Sequence, residues 1–214
     1  MSTAKNIAKL LLEVQAVTLS PEAPYTWASG LRSPIYCDNR LTISYPEVRK
    51  QITKDLVELI KKEFPEVEAI VGTATAGIPQ ACWVADSLEL PLAYVRSSNK
   101  EHGKTNLIEG VIKENSKVVV IEDLISTGGS SIVACQALEA AGLQVLGVAA
   151  IFTYEMNKAV QNFTEANIKY QTLSGFSTLI QEAIALNYVN EADLENLLLW
   201  SKDPIAYTEH INAK

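Results

Sequence analysis

The stretch VVVIEDLISTGGSSIVACQAL, residues 118–138, carries the residue types best suited to chemistry. A run of four apolar residues ends in two acids, Glu122 and Asp123, and a Gly/Ser/Thr turn follows before a helical pattern resumes. Gly128 and Gly129 let backbone come close to a ligand, and Ser126, Thr127 and Ser130 offer hydroxyl donors. A helix starting there presents unpaired N–H groups and the positive end of its dipole, which suits one phosphate group. Carboxylates repel phosphate but accept hydrogen bonds from sugar hydroxyls. Either feature alone reads as a helix cap beside two solvated acids. Side by side they favour a phosphorylated ribose.

A second Gly-bearing turn, GTATAGIP at 72–79, has the G-x4-G spacing of a P-loop, but Ile78 and Pro79 stand where Lys and Ser/Thr would be needed. Its glycines can supply backbone donors for another anion, or the segment is a tight strand-to-helix turn. There is no GxGxxG for a dinucleotide. Residues 97–106, SSNKEHGKTN, hold no apolar side chain and read as an exposed, mobile loop carrying Lys100, His102 and Lys104, with Arg96 just before it. A lesser alternative makes Arg96 a surface ion-pair partner of Glu101 or Glu109, and Lys104 reads as a solvated charge. The other histidine, His210, falls in a polar C-terminal stretch and reads as inert. The two histidines form no zinc motif.

The elements that must position these groups follow from composition and periodicity. The chain has 214 residues, 48% of them hydrophobic and 20% charged, which suits one globular domain able to fold without staples. Its net charge of −7 argues against a nucleic-acid coat or a polybasic membrane binder. Cys37, Cys82 and Cys135 are dispersed and odd in number, as in a reducing, cytoplasmic compartment. The start lacks the pattern of a signal peptide, and the longest uncharged run, Ala69–Ala85, is too short and interrupted to span a membrane. The Asn162-Phe163-Thr164 sequon reads as chance.

Apolar spacing predicts a helix over 3–17 and, with Ser44 as cap and Pro46 in the first turn, a second with Val48, Ile52, Leu56, Leu59 and Ile60 on one face. Between them, 20–45 reads as turns and small strands. Compact Val/Ile-rich runs at 67–72, 90–95, 117–123 and 143–152 alternate with helices near 78–88 and 128–141. That alternation predicts an α/β fold: a central parallel sheet with helices on both faces and right-handed crossovers. Helices at 174–185 and 191–201 close the chain, the last stopped by Pro204.

VVVIEDLISTGGS resembles the phosphoribosyl-pyrophosphate motif of the type I phosphoribosyltransferases. YTWASGLRSPIYCDNR (25–40) and YVRSSNKEHGKTNLIEG (94–110) resemble segments of the orotate branch, and the likeness runs in order along nearly the whole chain. It implies a Rossmann-like core over 46–214 with a small N-terminal hood over 1–45, together one compact domain. It implies that Glu122 and Asp123 hold the ribose hydroxyls, that Ile125, Ser126, Thr127, Gly128, Gly129 and Ser130 hold the 5′-phosphate, and that Leu124 between them is part of the substrate-binding segment. Ser126 falls where the family touches orotate, and Tyr36 and Cys37 where it packs against the base. Arg96, Lys100 and His102 would meet the pyrophosphate, with Lys100, His102 and Asp123 as the catalytic set. The loop 97–106 would act in trans in a homodimer. Magnesium would be the cofactor, held mainly through the substrate, with no dedicated protein ligands. The implied reaction joins orotate and phosphoribosyl pyrophosphate to give orotidine 5′-monophosphate and pyrophosphate, a step of pyrimidine biosynthesis toward UMP.

Four positions depart from the family pattern: Ala28, Ala76 and Ser97 replace lysines, and Tyr154 replaces an arginine near orotate. Two alternatives stand beside this reading. A purine phosphoribosyltransferase would share the fold, but the 25–40 segment argues against it. A phosphoribosyl-pyrophosphate-sensing nucleic-acid regulator would need a basic face or an added DNA-binding domain.

Overall fold

The structure is a computed structural model that describes residues 2–27, 29–96 and 107–213. Helix α1 (Thr3–Glu13) leads into four short strands, β1 (Val17–Leu19), β2 (Tyr25–Thr26), β3 (Arg32–Ser33) and β4 (Ile35–Cys37), and a 3-10 turn over Asn39–Ser44. The layered part follows in the order α2 (Pro46–Glu63), β5 (Ala69–Thr73), α3 (Gly77–Leu88), β6 (Leu92–Val95), β7 (Ile108–Glu109), β8 (Lys117–Ile125), α4 (Gly129–Ala140) and β9 (Gln144–Thr153). It ends with α5 (Asn157–Glu165), β10 (Tyr170–Gly175), α6 (Phe176–Ala185), a 3-10 turn over Glu191–Asp193, α7 (Leu194–Lys202) and α8 (Pro204–Asn212).

Six strands form one sheet in the order β10-β9-β8-β5-β6-β7, parallel except for the β6–β7 pair. The α/β sandwich expected from the alternation is therefore present, with a short antiparallel edge. Successive residues of a strand face opposite sides, and β8 uses both. Val119 and Ile121 join a core with α1, α2, α3, α6 and α7, while Val118 and Val120 join a second core with α4 and α5. All four are fully buried, and each contributes about 1.5–3 kcal/mol by leaving water. No described helix is long and apolar enough to cross a membrane.

Several boundaries differ from the sequence expectation. α1 stops at Glu13 because Gln15 takes φ 56° and Val17 pairs with Cys37 in the β1–β4 ribbon. Tyr45, not Ser44, precedes α2, with no side-chain cap, and Pro46 opens the helix. The stretch expected to begin a helix at 174 is instead the end of β10, an edge strand whose polar sequence YQTLSG carries little apolar signal. α5 was hidden for a similar reason, since only Ala159 and Phe163 of it are buried. α7 does stop just before Pro204, as expected, but it is not the last helix. The Pro204 ring occupies the first turn of α8, where a missing N–H costs nothing, and His210 lies in that helix's last turn.

Candidate active site

β5 and β8 are neighbours, yet the chain leaves β5 toward β6 on one side, and β8 leads to β9 and β10 on the other. The carboxyl ends of two such strands border a crevice where open α/β sheets bind ligands. Both Gly-bearing turns open there. β8 also outruns its neighbour: pairing with β5 ends at Gly72–Ile121, while β8 continues to Ile125. Side chains satisfy the carbonyls left over. The Thr73 hydroxyl donates to the Ile121 oxygen (3.1 Å), and the buried Asn39 amide donates to the Asp123 oxygen (2.7 Å). Gly77, the first residue of α3, passes so close that a Cβ would collide with the same Ile121 carbonyl. The turn after β5 is thus clamped against β8.

The acid pair sits on the overhanging part of β8. Glu122 is buried on the α4 side, where its carboxylate accepts from the Ser130 and Ser131 hydroxyls (3.2 and 3.0 Å) and from the Asp123 N–H (3.1 Å). Asp123 is half-buried beside the N-terminal segment. Burial, then the charge and hydrogen bond of Glu122, push its carboxyl up to about 7.

The turn that follows is built around Gly128, whose φ of 79° ends the approach to α4. A Cβ at that position would strike the Phe163 ring of α5. Over Gly129, by contrast, a Cβ would meet nothing closer than the Thr127 hydroxyl at 3.9 Å. Conformation and packing thus require glycine at 128, whereas 129 simply leaves space above the helix start. From behind, Asn162 of α5 donates its side-chain amide to the Thr127 carbonyl (2.8 Å). Among the described residues the N–H groups of Thr127 and Gly128 donate to no backbone acceptor, and the first N–H groups of α4 lack intrahelical partners by geometry. Ile125 is buried, Leu124 and Ser126 half-buried, and Thr127 and Ser130 exposed. The arrangement can serve as an anion cradle, and tertiary contacts fix its shape.

Arg96, one residue past β6, faces the start of α4 across a cavity of about 230 Å3 lined by Thr73, Ala74, Val95, Gly129, Ser130 and Ala134 among others. Its guanidinium also lies 3.8 Å from Glu109, so the ion-pair role and the cavity role coexist. Ala76 caps α3 and adds no charge. Lys100, His102, Lys104, Ser97, Ala28 and the loop 97–106 lie outside the described residues. A larger cavity of about 450 Å3 lies between α2 and α3, where Arg49 stacks on Trp83, away from these groups.

Tyr36 is half exposed, and Cys37 beside it has its thiol pushed well up by burial and then by Asp123 and Asp38. The segment expected to meet a base therefore does adjoin the acid pair. Tyr154 is 5% exposed and packs against Trp200, Trp27 and Phe152 at ring distances of 5.1, 6.1 and 6.1 Å. Burial and nearby Cys37 raise its hydroxyl far above the ordinary tyrosine value. It fills space where the family pattern has a cation. Arg40, in the segment after Cys37, is bound through two nitrogens to Asp38 (2.6 and 2.9 Å). Sequence reasoning passed over Asn39, Thr73, Ser131, Asn162 and Phe163. Only their tertiary contacts reveal them.

Three comparisons bear on this geometry. The family described as "Phosphoribosyl transferase domain" matches residues 45–174. The chain is 59% identical over 201 residues to the orotate phosphoribosyltransferase of Enterococcus faecalis, covering 94% of this chain and 96% of that one. Against the Listeria innocua protein of the same name it is 56% identical over 204 residues, covering 95% and 98%. Among solved structures, the orotate phosphoribosyltransferase of Aeropyrum pernix superposes with a TM-score of 0.75 at 25% identity, covering 86% of this chain and 99% of that one.

Proposed function

The chain belongs to the orotate phosphoribosyltransferases of the phosphoribosyl transferase family, and from that premise we propose how its own residues carry out the transfer. The 5′-phosphate of phosphoribosyl pyrophosphate enters the cradle of 125–130, where N–H groups and the α4 dipole offset its charge. Asp123 and Glu122 accept hydrogen bonds from the ribose hydroxyls. The pyrophosphate lies toward the turn after β5, with Arg96 across the cavity. Orotate rests against Tyr36 and Cys37, near Ser126.

In the transfer, the anomeric C–O bond breaks with its electron pair leaving on pyrophosphate, and a ring nitrogen of orotate forms the new C–N bond. Positive charge grows on the sugar and negative charge on the leaving group, so the protein must hold both ends and exclude water. Lys100 and His102 on the loop 97–106 serve the pyrophosphate end from the partner subunit of a homodimer, His102 supplying a proton or hydrogen bond to the departing group. Magnesium would be the cofactor, held mainly through the substrate, since this ion keeps waters and needs few protein ligands. Bound there, it would supply charge neutralisation at the pyrophosphate. The product is orotidine 5′-monophosphate, a precursor of UMP, made in the cytoplasm.

The observation that carries this reading is the single cavity joining Thr73, Ala74, Arg96, Gly129 and Ser130 beside the acid pair. Orotate consumption followed spectroscopically, with phosphoribosyl pyrophosphate and magnesium, beside adenine, hypoxanthine and uracil, tests it. Orotate alone should be consumed. Use of a purine in its place overturns the assignment.

A further inference from the structure

Glu122 is held by two hydroxyls that differ in one respect. Ser130 is exposed and lines the cavity, whereas Ser131 is fully buried. Both donate to the same oxygen, Glu122 Oε2, at 3.2 and 3.0 Å, while Oε1 accepts from the Asp123 N–H at 3.1 Å. A carboxylate oxygen accepts about two hydrogen bonds, so Oε2 is saturated as it stands. A phosphate arriving in the cradle competes for Ser130 but cannot reach Ser131.

We propose that Ser131 is a positioning residue for ribose recognition: it anchors Glu122 through a bond no ligand can take, while the 5′-phosphate draws Ser130 away and so frees one acceptor site on Oε2 for a ribose hydroxyl. The proposal rests on the ribose-phosphate reading given above and adds an order to it, with phosphate occupancy preparing the sugar site. Without Ser131, displacement of Ser130 would leave Oε2 untethered, and the carboxylate would lose the orientation the ribose needs. A buried carboxylate with a missing donor also relaxes toward whatever donors remain.

The test compares two probes, inorganic phosphate and ribose 5-phosphate, titrated calorimetrically into the whole protein. The wild-type chain should bind ribose 5-phosphate more tightly than phosphate. Ser131→Ala should keep its phosphate affinity within about twofold and bind ribose 5-phosphate about tenfold more weakly, the range set by one hydrogen bond to a charged group. Ser130→Ala should weaken both probes by the same factor. In a Glu122→Gln background, Ser131→Ala should add less than about a twofold loss, since the group it orients has changed. If Ser131→Ala does not fold, Ser131→Cys, of similar volume and with a weaker donor, should show the same probe selectivity at about threefold. Equal loss on both probes, loss on neither, or the same loss in the Glu122→Gln background overturns the proposal. A wild-type chain with no preference for ribose 5-phosphate overturns the ribose reading itself, a result separable from all of these.

Discussion

Asp123→Asn should make the protein more stable and less active, with the stability gain appearing only as pH rises. In the folded chain burial and Glu122 hold the Asp123 carboxyl at about 7, against an ordinary value of 3.8. Between those two pH values the folded state keeps a proton that the unfolded state gives up. Stability therefore falls as pH rises from about 4 to about 7, and is level above that. The span is a little over three pH units at about 1.4 kcal/mol each, a ceiling of about 4 kcal/mol. Solvent reaching the half-buried carboxyl brings the expectation to about 2 kcal/mol. Asparagine has the same shape and never ionises, so it removes this cost. Urea unfolding at pH 5 and pH 8 should find the variant slightly favoured at the lower pH and favoured by about 2 kcal/mol at the higher, or about 4–8 °C in Tm. Turnover with phosphoribosyl pyrophosphate should fall at both, because an amide presents only one acceptor to the ribose. A stability difference that is equal at the two pH values, or that favours the wild type at pH 8, refutes the argument.

Gly128→Ala meets both a positive φ and the Phe163 ring, so the urea midpoint should drop by an amount equivalent to about 1–3 kcal/mol; Phe163→Leu in the same chain should return part of it, and an unchanged midpoint counts against the packing described. Arg96→Ala should raise KM for phosphoribosyl pyrophosphate at least about tenfold at saturating orotate, because Ala76 and Tyr154 add no positive charge. A KM that does not move removes Arg96 from the site. If the loop 97–106 works in trans, mixing Lys100→Ala with Asp123→Asn should restore about a quarter of wild-type activity after random subunit exchange. Exchange verified by differential tags without recovery means the loop serves its own subunit.

The layered core and the cradle after β8 were legible because both carry local signals. Doubly buried strands such as Val118–Ile121 read as continuous apolar runs, and a Gly/Ser/Thr turn between a strand and a helix is visible in any order of reading. What supports the cradle was not legible. Asn162 and Phe163 lie in α5, a helix with two buried residues, and look in the sequence like a chance sequon. Asn39 is separated from Asp123 by 84 positions, and no spacing rule joins them. The two glycines of the turn look equivalent in the sequence, and only the neighbouring ring shows that 128 is the demanding one. Tyr154 reads as a lost cation, and the structure adds what replaced it: an aromatic cluster in which Trp27 and Phe176 both pack on Trp200.

The overhang of β8 past β5 has a consequence for how such a crevice is opened at all. A gap between two adjacent strands ordinarily leaves a row of bare carbonyls, each a liability if dry and a magnet for water if wet. Here the Thr73 hydroxyl and the Asn39 amide act as stays on a cantilever, one from the strand that stops short and one from the segment that lies over it. The crevice can thus open beyond the last β5–β8 pair while the Ile121 and Asp123 carbonyls stay tied down. The position of the acids at the tip is then set by tension from two directions, and a change in either stay re-aims them without touching the acids themselves.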